Sequence, residues 1–238
     1  MTNLICILGP TASGKTKLGV TLAHKLNGEI ISADSRQVYR GLDIGSGKDL
    51  LEYIIDDKQV PYHLIDIIEP QDEYNVFQFQ RDFLTAYDTI QKKKKSTILV
   101  GGTGLYLDAV LNGYKLIEVP NNSLLRDELR DLSLPELITK LNTLKTLHNQ
   151  TDITDKERAM RAIEIAQYEK EHEDLKHDFP DIKPIIFGLE WEPEALRKRI
   201  KKRLEVRLKE GMIDEVQDLL KSGVTHERLI RFGLEYKW

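Results

Sequence analysis

A phosphate-binding pattern near the start of the chain restricts the possible folds more than any other feature. Residues 9–16 fit G-x-x-x-x-G-K-[ST] at every fixed position and read Gly9, Pro10, Thr11, Ala12, Ser13, Gly14, Lys15 and Thr16. An apolar run precedes this segment, and leucines at spacing four follow it from Leu18 to Leu26. A strand, a glycine turn and a helix in this order form the context in which the pattern is a phosphate-binding loop, or P-loop. We therefore expect the loop N–H groups and Lys15 to bind phosphate oxygens, and the Thr16 hydroxyl to ligate Mg²⁺.

Short apolar strands alternate with helical segments along much of the chain. The patterns predict strands at residues 4–8, 29–33, 62–67, 97–100 and 184–189, with helical segments between them. Such alternation is typical of βαβ units, in which parallel strands are joined by helices. The predicted fold class is therefore α/β, a P-loop NTPase-like parallel sheet flanked by helices.

The alternation stops between residues 120 and 180. No strand is evident there, and apolar residues recur at helical spacing, as in Leu137, Leu141 and Leu144. This pattern predicts a small helical insertion at 120–180 within a P-loop core formed by 1–119 and 181–238. Two further helices are predicted after the last strand, at about 194–210 and 213–221.

Composition excludes several classes of protein. A single cysteine, Cys6, among 238 residues rules out an intrachain disulfide framework and is usual in a reducing compartment. No apolar stretch approaches the length of a transmembrane span, and the first residues lack a signal-peptide pattern. We therefore expect a cytoplasmic protein without membrane association, and we expect a monomer. The net charge of −4 does not indicate a nucleic-acid partner, but local basic patches, not the total, decide that property.

Two acidic residues follow apolar runs and are candidates for chemistry. Asp34 comes directly after the predicted strand at 29–33, at the sheet edge where ligands bind in open α/β folds. It could accept a proton from a nucleophile, or it could be a helix N-cap. Asp66 could be the Walker B acid of an NTPase, but a structural role is favoured because no adenine pocket or lid arginine is evident.

A P-loop indicates phosphate and does not by itself indicate ATP hydrolysis. Three classes therefore stay open on the residues alone. The chain could be a kinase or NTPase, a transferase with diphosphate as leaving group, or a nucleic-acid adaptor without catalysis.

Five sequence blocks in fixed order resemble the tRNA dimethylallyltransferase (tRNA isopentenyltransferase) family. They are residues 9–16, 31–45, 63–66, 79–82 and 100–106. The resemblance implies transfer of a dimethylallyl group from dimethylallyl diphosphate to N6 of the adenosine next to the anticodon (position 37) in tRNA, without consumption of ATP. A related alternative keeps the chemistry and takes a free adenine nucleotide as acceptor.

The resemblance also implies roles for individual residues. Asp34 matches the general base, Thr103 matches a threonine at the reacting centre, and Arg203 matches an arginine that binds the diphosphate. The P-loop would hold dimethylallyl diphosphate with Mg²⁺. Contacts with tRNA are implied for two segments, which comprise Asp34, Ser35, Arg36 and Gln37 in the first and Glu157, Arg158, Ala159, Met160 and Arg161 in the second.

Two further patterns accompany the resemblance. Arg199, Arg203 and Arg207 recur at spacing four beside an apolar stripe, so that Arg199 and Arg207 could be solvated or could meet tRNA phosphate. The family usually continues Asp-Ile-Gly with Thr-Ala-Lys-Pro, whereas residues 46–49 are Ser, Gly, Lys and Asp. This departure predicts either a more mobile loop or a variant substrate.

Overall fold

The computed structural model describes residues 2–145, 153–175 and 179–237 of the chain. Its strands are β1 (Leu4–Leu8), β2 (Glu29–Ala33), β3 (Ile54–Ile55), β4 (Lys58–Gln59), β5 (Tyr62–His63), β6 (Thr97–Gly101) and β7 (Pro184–Gly188). Its α-helices are α1 (Lys15–Lys25), α2 (Val76–Lys92), α3 (Gly104–Leu111), α4 (Ser123–Leu129), α5 (Leu134–Leu144), α6 (Lys156–Glu171), α7 (Pro193–Lys209), α8 (Met212–Lys221) and α9 (His226–Phe232).

The chain divides into two compact units. The first comprises Met1–Tyr114 and Pro180–Trp238, and the second comprises Lys115–Phe179. The second unit overlaps the region, 120–180, for which the sequence predicts a helical insertion.

A five-stranded sheet organises the first unit. Its strand order is β5-β2-β6-β1-β7, and each pair of neighbours is parallel. Successive side chains of a strand point to opposite faces, and here both faces are covered. Cys6 and Leu99 pack in a cluster with α2 and α3, whereas Ile7 and Ile98 pack in a cluster with α1. The predicted fold class is therefore confirmed.

One predicted strand is shorter than expected. The sequence pattern places a strand at residues 62–67, but β5 is only Tyr62–His63. The backbone leaves extended geometry because Leu64 and Asp66 adopt left-handed conformations, with φ of 62° and 55°. The N–H of Asp66 then donates to the carbonyl of Gln37 over 3.0 Å, which joins this turn to the segment after β2.

The second unit has a helical core of its own. Leu129, Leu137, Leu141 and Ile163 are fully buried between α4, α5 and α6. Glu164 is buried beside them, and its carboxylate accepts hydrogen bonds from Arg126 and Arg161. No strand occurs among the residues of this unit that the structure describes.

None of the helices in the described ranges is both long enough and apolar enough to cross a membrane.

Candidate active site

The carboxyl ends of β1, β2 and β6 meet at one edge of the sheet, because the three strands are neighbours and parallel. The P-loop follows β1, Asp34 follows β2, and Thr103 follows β6 after one intervening residue. The topology thus brings together three positions that are far apart in sequence, as expected for ligand sites in open α/β folds.

The P-loop wraps around the N-terminus of α1. Gly14 is the N-cap residue and has a φ of 89°, a left-handed conformation that glycine adopts without a steric penalty. Ser13 is buried, and its hydroxyl has no hydrogen-bond partner among the described residues. The loop therefore offers a spare donor beside a positive helix end, which suits a phosphate ligand.

A cavity of about 450 Å³ lies against this loop. All of its lining residues belong to the first unit. They come from the P-loop (residues 11–16), from the segment after β2 (Asp34, Gln37, Ser46, Gly47, Asp49, Glu52 and Tyr53), from α7 (Arg199, Lys202, Arg203, Val206 and Arg207), and from Ser32, Val100, Gly101 and Glu210. The arginine stripe of α7 thus faces the cavity, which favours a ligand-binding role over simple solvation.

Helix α7 is fastened to the P-loop by two side chains. The Trp191 indole donates from Nε1 to the carbonyl of Ser13 over 3.0 Å, and Arg199 Nε donates to the carbonyl of Ala12 over 2.8 Å. The Arg199 guanidinium also lies 4.2 Å from the centroid of the Trp191 ring, a cation–π contact. These contacts hold the start of α7 beside the loop.

The electrostatics of the cavity centre on Lys15. Burial lowers the pKa of the Lys15 ammonium, the nearby Asp34 carboxylate raises it, and Arg203 lowers it. The Asp34 carboxylate and the Arg203 guanidinium therefore both lie close enough to the Lys15 ammonium to shift its pKa. A base and a cationic cluster in one cavity can remove a proton on one side and stabilise a departing anion on the other.

Asp34 is half-buried, and turns follow it where the N-cap alternative would require a helix. Its Oδ1 accepts a hydrogen bond of 2.9 Å from the N–H of Arg36. Its other carboxylate oxygen has no hydrogen-bond donor within the described ranges, so this oxygen is available to a ligand. The N-cap alternative is wrong, and the position of Asp34 in the cavity agrees with a base.

Thr103 contacts Ser35, the residue that follows Asp34 in the sequence. Its Oγ1 accepts a 2.9 Å hydrogen bond from the Ser35 N–H and donates to the Ser35 hydroxyl over 3.3 Å. Thr103 is not among the residues that line the cavity. The structure therefore places Thr103 where it fixes the turn that carries Asp34.

The first predicted tRNA segment is partly committed to contacts within the protein. Arg36 donates from Nε to the carbonyl of Phe232 over 2.7 Å and from Nη1 to the Ser35 hydroxyl. Gln37 is buried, accepts a hydrogen bond from Ser32, and donates to the carbonyl of Gly47 over 3.1 Å. The Gln37 side chain thus links the end of β2 to the next loop.

The second predicted tRNA segment belongs to α6 in the second unit. Ala159 is fully buried in the helical core, so its side chain cannot contact RNA, and Met160 packs against that core. Arg161 donates to the carbonyl of Val119 over 2.7 Å and to Glu164 over 2.9 Å. Glu157 is exposed, as is Arg158, whose guanidinium pairs with Asp155.

The loop at residues 45–49, for which the sequence allowed greater mobility, is held at its start by hydrogen bonds that also fix the two residues before it. One carboxylate, that of Glu215 on α8, accepts hydrogen bonds from the N–H groups of Asp43, Ile44 and Gly45. The Tyr236 hydroxyl accepts from the N–H of Ser46 over 3.0 Å. These contacts contradict the mobile-loop alternative.

Lys48, in the same loop, is an ion-pair partner of Asp66. The Lys48 side chain is 1% exposed and its ammonium pairs with Asp66 and, over 2.6 Å, with Asp43. It also donates to the carbonyl of Tyr39 over 2.7 Å. Asp66 does not line the cavity. This arrangement agrees with a structural role for Asp66 and disagrees with the Walker B alternative.

The donor set of the cavity fits a magnesium ion that is held mainly by its phosphate ligand. In the part of the chain that the structure describes, no three His, Cys, Asp or Glu side chains group to hold a metal by themselves. The Thr16 hydroxyl and the Asp34 carboxylate nevertheless line the same cavity. Mg²⁺ commonly takes one or two protein oxygens, with substrate phosphates and water completing its shell.

Sequence reasoning missed several residues of this site. Trp191, Lys202, Glu52 and Tyr53 are examples, all of which contact or line the P-loop cavity. A signal existed for Trp191, which lies shortly after the carboxyl end of a strand adjacent to β1. No comparable signal marked Tyr53, because it ends a single 3-10 turn, Leu50–Tyr53, that is too short to show a periodic pattern.

Comparison with known proteins matches the predicted resemblance. A family model described as IPP transferase matches residues 37–237, and one described as isopentenyl transferase matches residues 2–60. The chain is 55% identical over 236 residues to tRNA dimethylallyltransferase 2 of Phocaeicola vulgatus. This alignment covers 99% of this chain and 77% of that protein.

Solved structures agree with these matches. The full-length tRNA isopentenylpyrophosphate transferase of Bacillus halodurans is 35% identical, with a TM-score of 0.62 over 94% of this chain and 71% of that one. A eukaryotic dimethylallyltransferase that acts on tRNA shares the fold, with a TM-score of 0.75 at 24% identity over 96% of this chain and 59% of that one. Because the sequence matches extend over nearly the whole chain, the chain belongs to the IPP transferase family.

Proposed function

We propose that this chain transfers a dimethylallyl group from dimethylallyl diphosphate to N6 of the adenosine next to the anticodon, position 37, in tRNA. One observation carries the proposal: Lys15, Asp34 and Arg203 share a single cavity against a P-loop. A relative that is 55% identical is named a tRNA dimethylallyltransferase, which supports both the transferred group and the tRNA acceptor.

The reaction requires little covalent chemistry from the protein. The N6 nitrogen attacks the allylic carbon, a C–N bond forms, and the C–O bond to diphosphate breaks with its electron pair leaving on diphosphate. The N6 proton goes to the Asp34 carboxylate, whose second oxygen is open to the cavity. The remaining task is to stabilise negative charge on the leaving group, and the P-loop N–H groups, Lys15 and Arg203 do so.

A magnesium ion would support the same task. The Thr16 hydroxyl would hold it together with diphosphate oxygens, which leaves the open Asp34 oxygen to accept the N6 proton. When bound, it neutralises charge on the leaving diphosphate. The protein residues then orient the substrate, since correct placement of the two reactants removes much of the entropic barrier.

Access to N6 requires the acceptor base to leave its stack. In duplex or stacked loop RNA the target amine is not reachable from a cavity of this size, so the enzyme extrudes the adenosine into the site.

The lining of the cavity predicts a monomeric enzyme, because the first unit of a single chain supplies every residue that lines it. Light scattering of the purified chain measures this oligomeric state.

A product assay tests the function. The chain is incubated with dimethylallyl diphosphate, Mg²⁺ and a tRNA that has adenosine at position 37, and the digested nucleosides are measured by mass spectrometry. We expect N6-dimethylallyladenosine with the native chain and none with Asp34→Ala, which still binds diphosphate. Asp72→Ala, at an exposed surface position, is the matched control and keeps full activity.

Other outcomes would overturn the proposal. Conversion of ATP to ADP with a small acceptor would indicate a kinase. Prenylation of free AMP but not of tRNA would indicate a nucleotide acceptor. Binding of tRNA without binding of the allylic diphosphate would indicate an adaptor.

A further inference from the structure

Two arginines of α7 press against one glycine of the cavity wall. Gly47 has a φ of 68°, and a Cβ built there would lie 1.8 Å from Arg203 Nη2 and 1.7 Å from Arg207 Nη2. Since both nitrogens lie 1.8 and 1.7 Å from the same point, they are no more than about 3.5 Å apart. Two guanidinium cations thus nearly touch at a buried position.

The positive charge of this pair is poorly matched within the protein. The Arg207 side chain is 6% exposed, and its Nη1 donates to the carbonyl of Gly45 over 3.1 Å and to Glu235 over 3.2 Å. Its Nη2 has no hydrogen-bond partner among the described residues, and neither has Arg203 Nε. The carboxylate paired with Arg203 is that of Asp49, 3.8 Å away.

A buried guanidinium cannot escape this situation by losing its proton. Burial and the neighbouring Arg203 lower the pKa of Arg207, but an arginine in a protein stays charged. A buried cation with an unused donor is costly unless an anion satisfies it. Both arginines line the cavity that the P-loop also lines, so an anion in that cavity is within their reach.

We propose that Arg207 is a second diphosphate-binding arginine, which uses its free Nη2 beside Arg203 to bind the leaving group of the allylic substrate. The identification of the anion as a leaving group rests on the proposed function. A diphosphate carries several negative charges and many acceptor oxygens, so it can satisfy two adjacent guanidinium groups together with the P-loop.

The absence of a side chain at Gly47 makes room for this pair of arginines. A Cβ at residue 47 would occupy the place of both Nη2 atoms, so the two guanidinium groups take their present positions because residue 47 has no Cβ. This contact explains the glycine by which the loop departs from the Thr-Ala-Lys-Pro pattern. Residue 47 thereby controls whether a second arginine joins the site.

Binding of inorganic diphosphate tests the proposal without tRNA. Titration calorimetry in the presence of Mg²⁺ compares the native chain, Arg207→Met and Arg197→Met. Arg197 is an exposed arginine of the same helix outside the cavity, so it controls for the loss of one positive charge. We expect Arg207→Met to weaken diphosphate binding roughly tenfold or more, and Arg197→Met to leave it unchanged.

A second variant keeps the test valid if Arg207→Met does not fold. Gly47→Ala retains both arginines but places a methyl group where the Nη2 atoms of Arg203 and Arg207 lie, so it should weaken diphosphate binding at least as much as Arg207→Met. The double variant should bind no more weakly than Gly47→Ala, because the Arg207 contact is already lost in that variant. In the transferase assay, we expect Arg207→Met to raise the KM for dimethylallyl diphosphate and to lower kcat.

Clear results would overturn the inference. Diphosphate binding within about twofold of native for Arg207→Met would exclude it, as would a loss of tRNA binding with diphosphate binding intact. The proposed function fails differently, since a chain that binds diphosphate through Arg207 but forms no N6-dimethylallyladenosine would retain this inference and lose that function.

Discussion

The Tyr236 hydroxyl donates a hydrogen bond of 2.7 Å to the Glu215 carboxylate. Burial, and then the Glu215 charge, raise the pKa of Tyr236, so the proton stays on the tyrosine. The same carboxylate accepts three backbone N–H groups of residues 43–45, and Glu215→Gln would replace one of its two acceptor oxygens with an NH₂ group that faces one or more of these donors. We expect the free energy of unfolding to fall by about 1–3 kcal/mol, measured by urea denaturation.

The Glu215 variant should also weaken diphosphate binding, because the loop it fastens carries Gly47. Asp218→Asn is the matched control on α8, since Asp218 is exposed and forms an ion pair with the exposed Lys221. It should change stability by less than about 0.5 kcal/mol. Equal stability of the Glu215 and Asp218 variants would show that the loop does not depend on this carboxylate.

We expect Asp66 to support the fold and not to bind a metal. Asp66→Asn removes one of two carboxylates from the buried Lys48 ammonium, and Asp43 still pairs with it. We expect a loss of about 1–2 kcal/mol in unfolding free energy with an unchanged Mg²⁺ dependence of the transfer rate. A shift of the Mg²⁺ midpoint in Asp66→Asn, absent from the surface control Asp72→Asn, would restore the Walker B interpretation.

Thr103 fixes the turn that carries Asp34, the proposed base, through the Ser35 N–H. Thr103→Val keeps the shape of the side chain but leaves that N–H without its acceptor. Single-turnover transfer should slow by about tenfold or more, because misplacing a base is costly. Thr103→Ser retains the hydroxyl and should recover most of the rate. A valine variant as fast as the native chain would exclude this positioning role.

Stability should fall in acid through Glu29. Burial raises the pKa of Glu29, but hydrogen bonds from His63, Lys95 and Lys93 outweigh burial and bring the pKa to about 2. The folded-state pKa therefore lies below the unfolded value of 4.5. The stabilisation is fully present above pH 4.5 and is lost as the pH falls towards 2.

Urea denaturation between pH 6 and pH 3 measures this dependence. Glu29→Gln should flatten the slope of unfolding free energy against pH below about pH 4.5. The exposed Glu205→Gln should leave the slope close to native. A native slope in Glu29→Gln would assign the acid sensitivity to other carboxylates, of which Glu164 is the first candidate because its pKa is also held at about 2.

Features encoded locally were predictable from the sequence. The P-loop is specified by fixed residues within eight positions, and the strands that flank it are continuous apolar runs. The strand at 62–67 was overestimated because periodicity does not reveal left-handed residues such as Leu64. Spacing on α7 placed Arg203 and Arg207 on one face, which was the available signal for the second arginine.

Long-range contacts were not predictable in this way. The Gly45 N–H and Glu215 are separated by 170 residues, and no local pattern joins them. The significance of Gly47 likewise depends on α7, which is distant in sequence but adjacent in space. Only the fold brings such partners together. The sequence therefore indicated the P-loop residues of the candidate site but not the contacts that bring Gly47 and Arg207 together.

The order of the site residues along the chain has a consequence for biosynthesis. The P-loop and Asp34 precede the second unit in the sequence, whereas Arg203, Arg207, Glu215 and Tyr236 follow it. Because domains generally fold as units during synthesis, a nascent chain has the phosphate-binding loop before it has these arginines. The full anion site therefore forms only after the second unit has been translated.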